Sequence, residues 1–204
     1  MPAPERLSRD YFARNTVQVA RELLGTRLVR LEGYQRVGGL IVETEAYRGE
    51  EDQACHARAG RTNRTQVMYG QPGHAYVYFT YGKHWMLNIV TELEGYPAAV
   101  LIRAILPVEG TSLIAARRNS QPLEHWTDGP AKLCQALSID GSQHGMDLYD
   151  PKSEILVESG IDVLDSDVVI SPRVGLNTVP EPWKSIPWRF RLIDKTYSSP
   201  RSNL

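Results

Sequence analysis

The sequence predicts a mixed α/β (α+β) fold, a single compact domain over residues 1–204 with a curved, mainly antiparallel sheet and surrounding helices. Three observations lead to this prediction. The chain has 204 residues, which is enough for one domain with a sizeable core. Short segments rich in β-branched and aromatic residues recur along it. They follow one another by short turns too often for regular βαβ crossovers, which favours antiparallel pairing.

The predicted elements begin with a helix in TVQVARELLG, with Thr16 as the N-cap and Gly25 as the stop. Strands follow in TRLVRL and GGLIVETEAY, and HAYVYFTYGKHWMLNIVT predicts two strands around a turn at Gly82-Lys83. AAVLIRAILP predicts a buried strand that Pro107 closes. Helices in GTSLIAARRN and DGPAKLCQALSI, and strands in SDVVISPRVG and WRFRLI, complete the set.

The composition limits the compartment and the class of protein. No apolar run is long enough to cross a membrane, and the start, MPAPERLSRD, has no apolar segment typical of a secretory signal. Cys55 and Cys134 are too few for a disulfide framework. We therefore expect a cytoplasmic protein, monomeric and without a membrane segment.

Charge is unevenly distributed along a chain whose formal net charge is −1. Residues 53–91 contain no Asp or Glu, residues 138–170 are mainly acidic, and residues 171–204 are mainly basic. One interpretation is a solvated surface with uneven charge. The other is a cationic face for a polyanion with an acidic back.

Two acidic residues, Glu43 and Glu45, stand near the end of a predicted strand. The period of two in a strand places them on the same side. Taken alone, the pattern favours a solvated pair on an edge strand. The alternative is a functional carboxylate, since the cationic segment begins only a few residues later.

Three tyrosines lie close together in AYVYFTY. We expect Tyr76 and Tyr78 to point to one side of the strand, and Val77, Phe79 and Tyr81 to the other. Such tyrosines are usually half-buried on a sheet face. Their basic, acid-free surroundings instead favour stacking on bases and neutralisation of phosphates.

Several kinds of site are absent from the sequence. The histidines lack metal-ligand spacing, no glycine loop has the Walker or dinucleotide-binding pattern, and no GxSxG motif occurs. We therefore predict no metal and no cofactor, and a reaction, if there is one, that depends on a carboxylate, water and aromatic side chains.

The sequence resembles the alkyladenine (3-methyladenine) DNA glycosylases of the type found in mammals and many bacteria. The matching segments include IVETEAYRGEEDQACHA, MYGQPGHAYVYFTYGKHWMLNIVT, AVLIRAILPVEG, DGPAKLCQALSID, SPRVG and PWRF. They occur in order over nearly the whole chain. The resemblance implies an enzyme that flips alkylated or deaminated purines out of duplex DNA and hydrolyses the N-glycosidic bond, located in the cytoplasm and, in a bacterium, associated with the nucleoid.

The resemblance also implies a role for individual residues. Glu45 matches the catalytic base, and Arg103 with the Val174 carbonyl matches groups that help it to hold the attacking water. Tyr81 matches the residue that enters the minor groove and fills the gap left by the base. The implied base pocket comprises Ala54, Tyr47, His56, Tyr76, Tyr78, Asn88 and Val174. The implied DNA contacts, besides Tyr81, are Lys83, His84, Arg61 and Arg64.

Some positions depart from the family pattern. Cys55 replaces a small apolar residue before the histidine, and this puts the substrate range in doubt. Lys83 and His84 make the hairpin tip more cationic than in some members. RLIDKTYSS replaces a glycine-containing turn, so contacts there are not carried over.

Two other functions are compatible with the residues alone. One is a non-catalytic module that binds damaged nucleic acid through the same aromatic and basic surface. The other is a hydrolase of small glycosides that uses Glu43 and Glu45 as a carboxylate pair, since side chains two residues apart on a strand are roughly 6–7 Å apart at Cα.

Overall fold

A computed structural model of the chain describes residues 4–119 and 121–193. Within these residues the helices are α1 (Arg9–Phe12), α2 (Thr16–Glu22), α3 (Thr111–Arg117) and α4 (Pro130–Ala136). The strands are β1 (Arg27–Glu32), β2 (Gln35–Arg48), β3 (Ala75–Thr80), β4 (His84–Val90), β5 (Ala98–Glu109), β6 (Ile155–Glu158), β7 (Val168–Ser171) and β8 (Arg189–Leu192).

The sheet runs in the order β3-β4-β5-β2-β1-β6, and β8 joins it by pairing with β2 and with β7. All of these pairings are antiparallel. The predicted mixed α/β fold with an antiparallel sheet is therefore confirmed. The helices α2 and α4 pack on the sheet, and the main core lies between these layers.

Strand β2 is the central element of the sheet and the one that positions the site. Its first half pairs with β1, and its second half pairs with β8 over Glu43–Glu45 while β5 lies on the other side. Glu43 and Glu45 are 7% and 0% exposed. The interpretation of a solvated pair on an edge strand was therefore wrong.

Three local predictions need correction, and one strand was missed. The N-cap of α2 is Asn15, whose side chain accepts hydrogen bonds from two backbone N–H groups, whereas the Thr16 hydroxyl bonds to Glu92. Strand β5 continues past Pro107 to Glu109, with an irregularity in its pairing with β2 near that residue. Strand β6 was not predicted at all. Tyr81 lies in the turn between β3 and β4, not on a strand.

The turn at the tip of the β3–β4 hairpin contains residues 81–83, and Tyr81 and Gly82 have positive φ angles of 51° and 64°. A tyrosine in this left-handed region is uncommon. The turn directs its side chain away from the sheet, where it is 88% exposed. The segment RLIDKTYSS differs from the family pattern. From residue 194 onward it lies outside the described residues.

A second, smaller cluster of buried side chains lies beside β3 and β5. It contains Cys55, Ala57, Met68, Tyr69, Tyr76, Val90 and Ala99, with Tyr47 and Tyr78 packed against it. This cluster forms the support of the cavity described next. No helix among the described residues is long and apolar enough to span a membrane.

Candidate active site

A cavity of about 330 Å³ opens between the end of β2, the β3–β4 hairpin, β5 and the loop after β7. The predicted site residues that line it are Glu45, Tyr47, Ala54, His56, Tyr76, Tyr78, Tyr81, Asn88, Arg103 and Val174. Residues far apart in the sequence are thus brought together at one place. Among the described residues that line the cavity, Glu45 is the one carboxylate, and Glu43 is not part of the lining.

Glu45 is fully buried, and three donors converge on its carboxylate. The Tyr47 hydroxyl donates to Oε2 at 2.8 Å, and the Val174 backbone N–H donates to Oε1 at 2.7 Å. The Arg103 guanidinium lies 3.3 Å from Oε1. The contact recorded for Val174 is therefore through its N–H, whereas the resemblance implied a role for its carbonyl. Together these donors stabilise and orient a charged carboxylate.

Burial, and then the charge of Glu45, raise the pKa of the Tyr47 phenol well above its ordinary value. The hydroxyl therefore stays protonated at neutral pH and remains a donor to Glu45. Burial opposes the charge of Arg103, but Glu45 and Glu43 outweigh it and raise the pKa of this guanidinium. Both neighbours of the carboxylate thus keep the protonation state that the contact requires.

Glu43, which does not line the cavity, also contacts Arg103. Its Oε1 accepts from the Nε atoms of both Arg103 and Arg189, each at 2.6 Å. Arg103 thereby connects the two glutamates, and Arg189 on β8 provides a second positive charge. Glu43 is therefore a partner of arginines, which makes it unlike the second acid of a glycoside hydrolase.

Aromatic rings form one wall of the cavity. The Tyr78 ring lies 4.6 Å from the His56 ring, edge to face, and 5.4 Å from the Tyr76 ring. Asn88 on β4 is 4% exposed, and its Nδ2 donates to the backbone carbonyl of Tyr76 at 3.0 Å. Asn88 therefore both lines the cavity and ties β4 to β3.

The hydrogen bonds of His56 determine its tautomer. Its Nε2 lies 3.2 Å from a guanidinium nitrogen of Arg64, which can only donate, so Nε2 accepts. Its Nδ1 therefore carries the proton and donates to the Tyr76 hydroxyl at 2.9 Å. Burial, with the charges of Arg64 and Arg58, lowers the pKa of His56 from 6.5 to about 4. The ring is neutral at physiological pH.

This depressed pKa predicts a pH dependence of stability. Between pH 6.5 and about 4 the unfolded chain binds a proton at His56 that the folded protein does not bind. The free energy of unfolding should therefore fall as the pH decreases through this window. Urea unfolding at several pH values checks this: the difference between wild type and His56→Gln should change across the window and be constant above pH 7. The exposed His84, changed to Gln, is the control, and an equal slope in both variants would contradict the assignment.

The predicted DNA contacts differ in their relation to the cavity. Tyr81 lines the cavity, whereas Lys83, His84, Arg61 and Arg64 are exposed outside it. The Arg64 guanidinium lies 5.0 Å from the centre of the Tyr78 ring, and that of Arg61 lies 5.7 Å from the Tyr69 ring. Cys55 lines the cavity but is buried, and burial raises the pKa of its thiol to about 12.

A buried ion pair behind the cavity was not predicted. The side chains of Arg173 and Asp52 are both 0% exposed, and they form two hydrogen bonds of 2.5 and 2.9 Å. Arg173 also donates to the carbonyls of Ala46 and Trp183, and its guanidinium lies 4.6 Å from the centre of the Tyr47 ring. The pair therefore joins the end of β2 to the loop that carries Val174.

Asp52 extends this connection to the loop that carries His56. Its Oδ1 accepts from the Ala54 N–H at 2.9 Å, and its carbonyl accepts from the Cys55 N–H at 2.8 Å. Asp52 and Arg173 are 121 residues apart, so no local sequence pattern links them. No group of three or more potential metal ligands occurs in residues 4–119 and 121–193.

Comparison with known proteins adds to this geometry. A profile of the methylpurine-DNA glycosylase family matches residues 10–196. A protein of Methanocella arvoryzae is 49% identical over 90% of both chains. A protein of Desulfitobacterium hafniense is 47% identical over 96% of this chain and 98% of its own length, and one of Carboxydothermus hydrogenoformans is 44% identical over 95% and 98%. All three carry the provisional name 3-methyladenine DNA glycosylase.

Proposed function

The chain belongs to the methylpurine-DNA glycosylase family, and from this membership we propose that it is a 3-methyladenine DNA glycosylase that acts on damaged purines in duplex DNA. The reaction is hydrolysis of the N-glycosidic bond by an activated water, as the first step of base excision repair. Alkylated and deaminated purines are its substrates, and it acts as a monomer in the cytoplasm. The observation that carries the proposal is a single buried carboxylate facing an aromatic cavity, Glu45 in the lining described above.

A purine inside a duplex is out of reach, so the nucleotide must rotate out of the stack. This unstacking costs a few kcal/mol, and less for a damaged or mispaired base. Tyr81 at the hairpin tip offsets part of the cost by filling the gap. Its exposed ring beside the cavity mouth supports this role.

The aromatic wall serves the flipped base. Alkylated purines carry a positive charge, and a tyrosine face gains roughly 0.5–2 kcal/mol from a stacked cation. Tyr47 and Tyr78 line the cavity, which supports this role for their rings. A neutral deaminated purine lacks this attraction and depends more on protonation of the leaving base.

Glu45 orients a water and removes its proton as the water oxygen bonds to C1′ and the bond from C1′ to the purine nitrogen breaks, with the base leaving with the electron pair. The sugar develops oxocarbenium character in the transition state, and the carboxylate stabilises that charge more strongly there than in the ground state. Arg103 and the Val174 N–H keep the carboxylate fixed. A water nucleophile leaves an intact strand with an abasic site. Strand cleavage would need an amine that forms a Schiff base with the sugar, and no lysine lines the described cavity.

The test of the function is a panel of duplexes that each carry one lesion, including hypoxanthine, ethenoadenine and 7-methylguanine, scored for free base and for abasic sites. Base release without strand cleavage is expected, and borohydride should trap no covalent complex. A non-catalytic binding module would release no base. A glycosidase of small substrates would not need the duplex. A trapped band that disappears in Lys83→Ala would overturn the water mechanism.

Asn88 is expected to exclude guanine by crowding its 2-amino group. Asn88→Ser should enlarge the pocket at this point and raise release of guanine relative to hypoxanthine. The discrimination is measured as the ratio of single-turnover rates on the two duplexes. A role limited to tying β4 to β3 predicts instead an equal loss on both substrates, in parallel with lost stability.

Tyr81→Ala should slow excision most where the lesion is stably paired, since the substituted side chain no longer fills the gap in the stack. A bulged lesion, which unstacks easily, should lose less. The comparison is made between single-turnover rates on a paired and a bulged duplex that carry the same lesion. Because Tyr81 is 88% exposed, its substitution should not disturb folding, so a difference between the two duplexes would reflect its contact with DNA. Equal losses on the two duplexes would argue against the role.

A further inference from the structure

A second cavity, of about 310 Å³, shares the walls Tyr76 and Tyr78 with the first. It lies at β3, which is the edge strand of the sheet, and its other side is formed by Gly141 and His144. The His144 Nδ1 accepts the Val77 N–H at 3.3 Å and so partly covers this edge. Apart from the shared Tyr76 and Tyr78 and the predicted DNA contact Arg64, none of its lining residues has a role above.

The aromatic side chains of the second cavity pack against each other and form a surface on which a base can stack. Phe79 and Trp85 lie with their ring centres 4.7 Å apart, and Phe79 is 46% exposed although a core is close by. The Trp85 ring packs partly against the main core and rests on Gly141, where an added Cβ would lie 2.8 Å from the ring. Trp85 is thus held by its neighbours, and Phe79 extends this surface toward solvent.

The charge of the cavity is of one sign. No Asp or Glu lines it in the described part of the chain, and Arg64 is at its border. Arg64 donates a hydrogen bond to His56 and also interacts with the Tyr76 hydroxyl, whereas a guanidinium carries five N–H donors. It can therefore also take a phosphate oxygen. Aromatic faces next to a guanidinium are the combination that binds the base and the phosphate of a single-stranded nucleotide.

We propose that this cavity is a second nucleotide site, which holds an unpaired nucleotide next to the flipped one, with its base on Phe79 and Trp85 and its phosphate on Arg64. The base must be unpaired because a base within the duplex stack has its faces covered. The volume is at the lower end of ordinary ligand sites and suits one nucleotide. The position relative to the lesion rests on the function proposed above, whereas binding of a nucleotide does not.

The site also connects to the first cavity through Arg64. A phosphate that engages this guanidinium competes with or reorients its bond to His56, which lines the base pocket. An occupied second site therefore adjusts the wall against which the damaged base stacks.

Binding of an undamaged, fluorescently labelled single-stranded oligodeoxynucleotide, followed by anisotropy, tests the proposal. Phe79→Ala should weaken binding about 5- to 150-fold, the range for loss of one base–aromatic stack. Gly141→Ala should act in the same direction by displacing the Trp85 ring. The matched control is Tyr34→Ala, another exposed aromatic residue in the turn between β1 and β2, which should bind as wild type does.

Unchanged affinity in Phe79→Ala would overturn the proposal. So would an equal loss with an oligonucleotide of abasic sites, because the contact would then not involve a base. Phe79→Ala should slow excision of a lesion with an unpaired neighbour more than excision of the same lesion in a fully paired duplex. If wild type released no base from any duplex while single-stranded binding still depended on Phe79, the proposed enzymatic function would fail and the nucleotide site would stand.

Discussion

Glu45→Gln is expected to abolish release of the base while binding of the lesion duplex persists. The amide has nearly the shape of the carboxylate and can still accept the Val174 N–H, but it cannot take a proton from water or balance a cationic sugar. The loss should exceed about 100-fold, within the typical effect of a general base. Single-turnover excision and anisotropy with the same duplex separate chemistry from binding.

The matched control for this variant is Glu43→Gln. Glu43 is two residues earlier on the same strand and is nearly as buried, but its carboxylate faces Arg103 and Arg189. Its substitution should cost stability and a smaller part of the activity, through a less well-held Arg103. Equal losses in the two variants would favour the carboxylate-pair mechanism. More than about a hundredth of wild-type turnover in Glu45→Gln would remove Glu45 from the role of base.

Asp52→Asn should produce the largest loss of stability of any single substitution considered. It leaves the Arg173 guanidinium charged, fully buried and without its counter-charge. Removal of one partner of a buried ion pair typically costs about 3–5 kcal/mol. Urea denaturation of wild type and variant measures the difference in the free energy of unfolding.

The control for Asp52→Asn is an exposed pair. Lys132 and Asp128 form an ion pair in which the side chains are 40% and 38% exposed, so Lys132→Ala should change stability by no more than about 1 kcal/mol. A similarly small effect of Asp52→Asn would show that the protein relaxes to admit water to Arg173. In that case the pair would not be the rigid connection between the two loops and β2.

Much of the fold could be predicted because its cues are local. The β3–β4 hairpin has two segments of strand-forming residues on either side of Gly82. Strand β2 is predicted by its β-branched residues. Strand β6 has only four residues and follows a turn-rich acidic segment, so its pattern is too short to detect. Pro107 was taken as an end because proline cannot donate to a ladder, but an irregular pairing tolerates it there.

The site residues that could be predicted are those that stand in segments typical of the family. Glu45 and the tyrosines stand in recognisable segments, and the resemblance assigned their roles. The partners of Glu43 could not be found in this way, since strand alternation does not tell which arginines reach a given carboxylate. Arg173 and Asp52 were hidden for the same reason, because both look like ordinary surface charges until the fold buries them.

The pairing of β8 with the centre of β2 has a consequence for the order of events during synthesis. Glu43 and Glu45 leave the ribosome long before Arg189, which lies 146 residues after its partner Glu43. At about 5–20 residues per second, the delay is on the order of 10 s. Until then the nascent chain has two acidic side chains in the middle of a sheet that lacks one neighbouring strand and one of its arginines. Activity is therefore among the last properties that the growing polypeptide acquires.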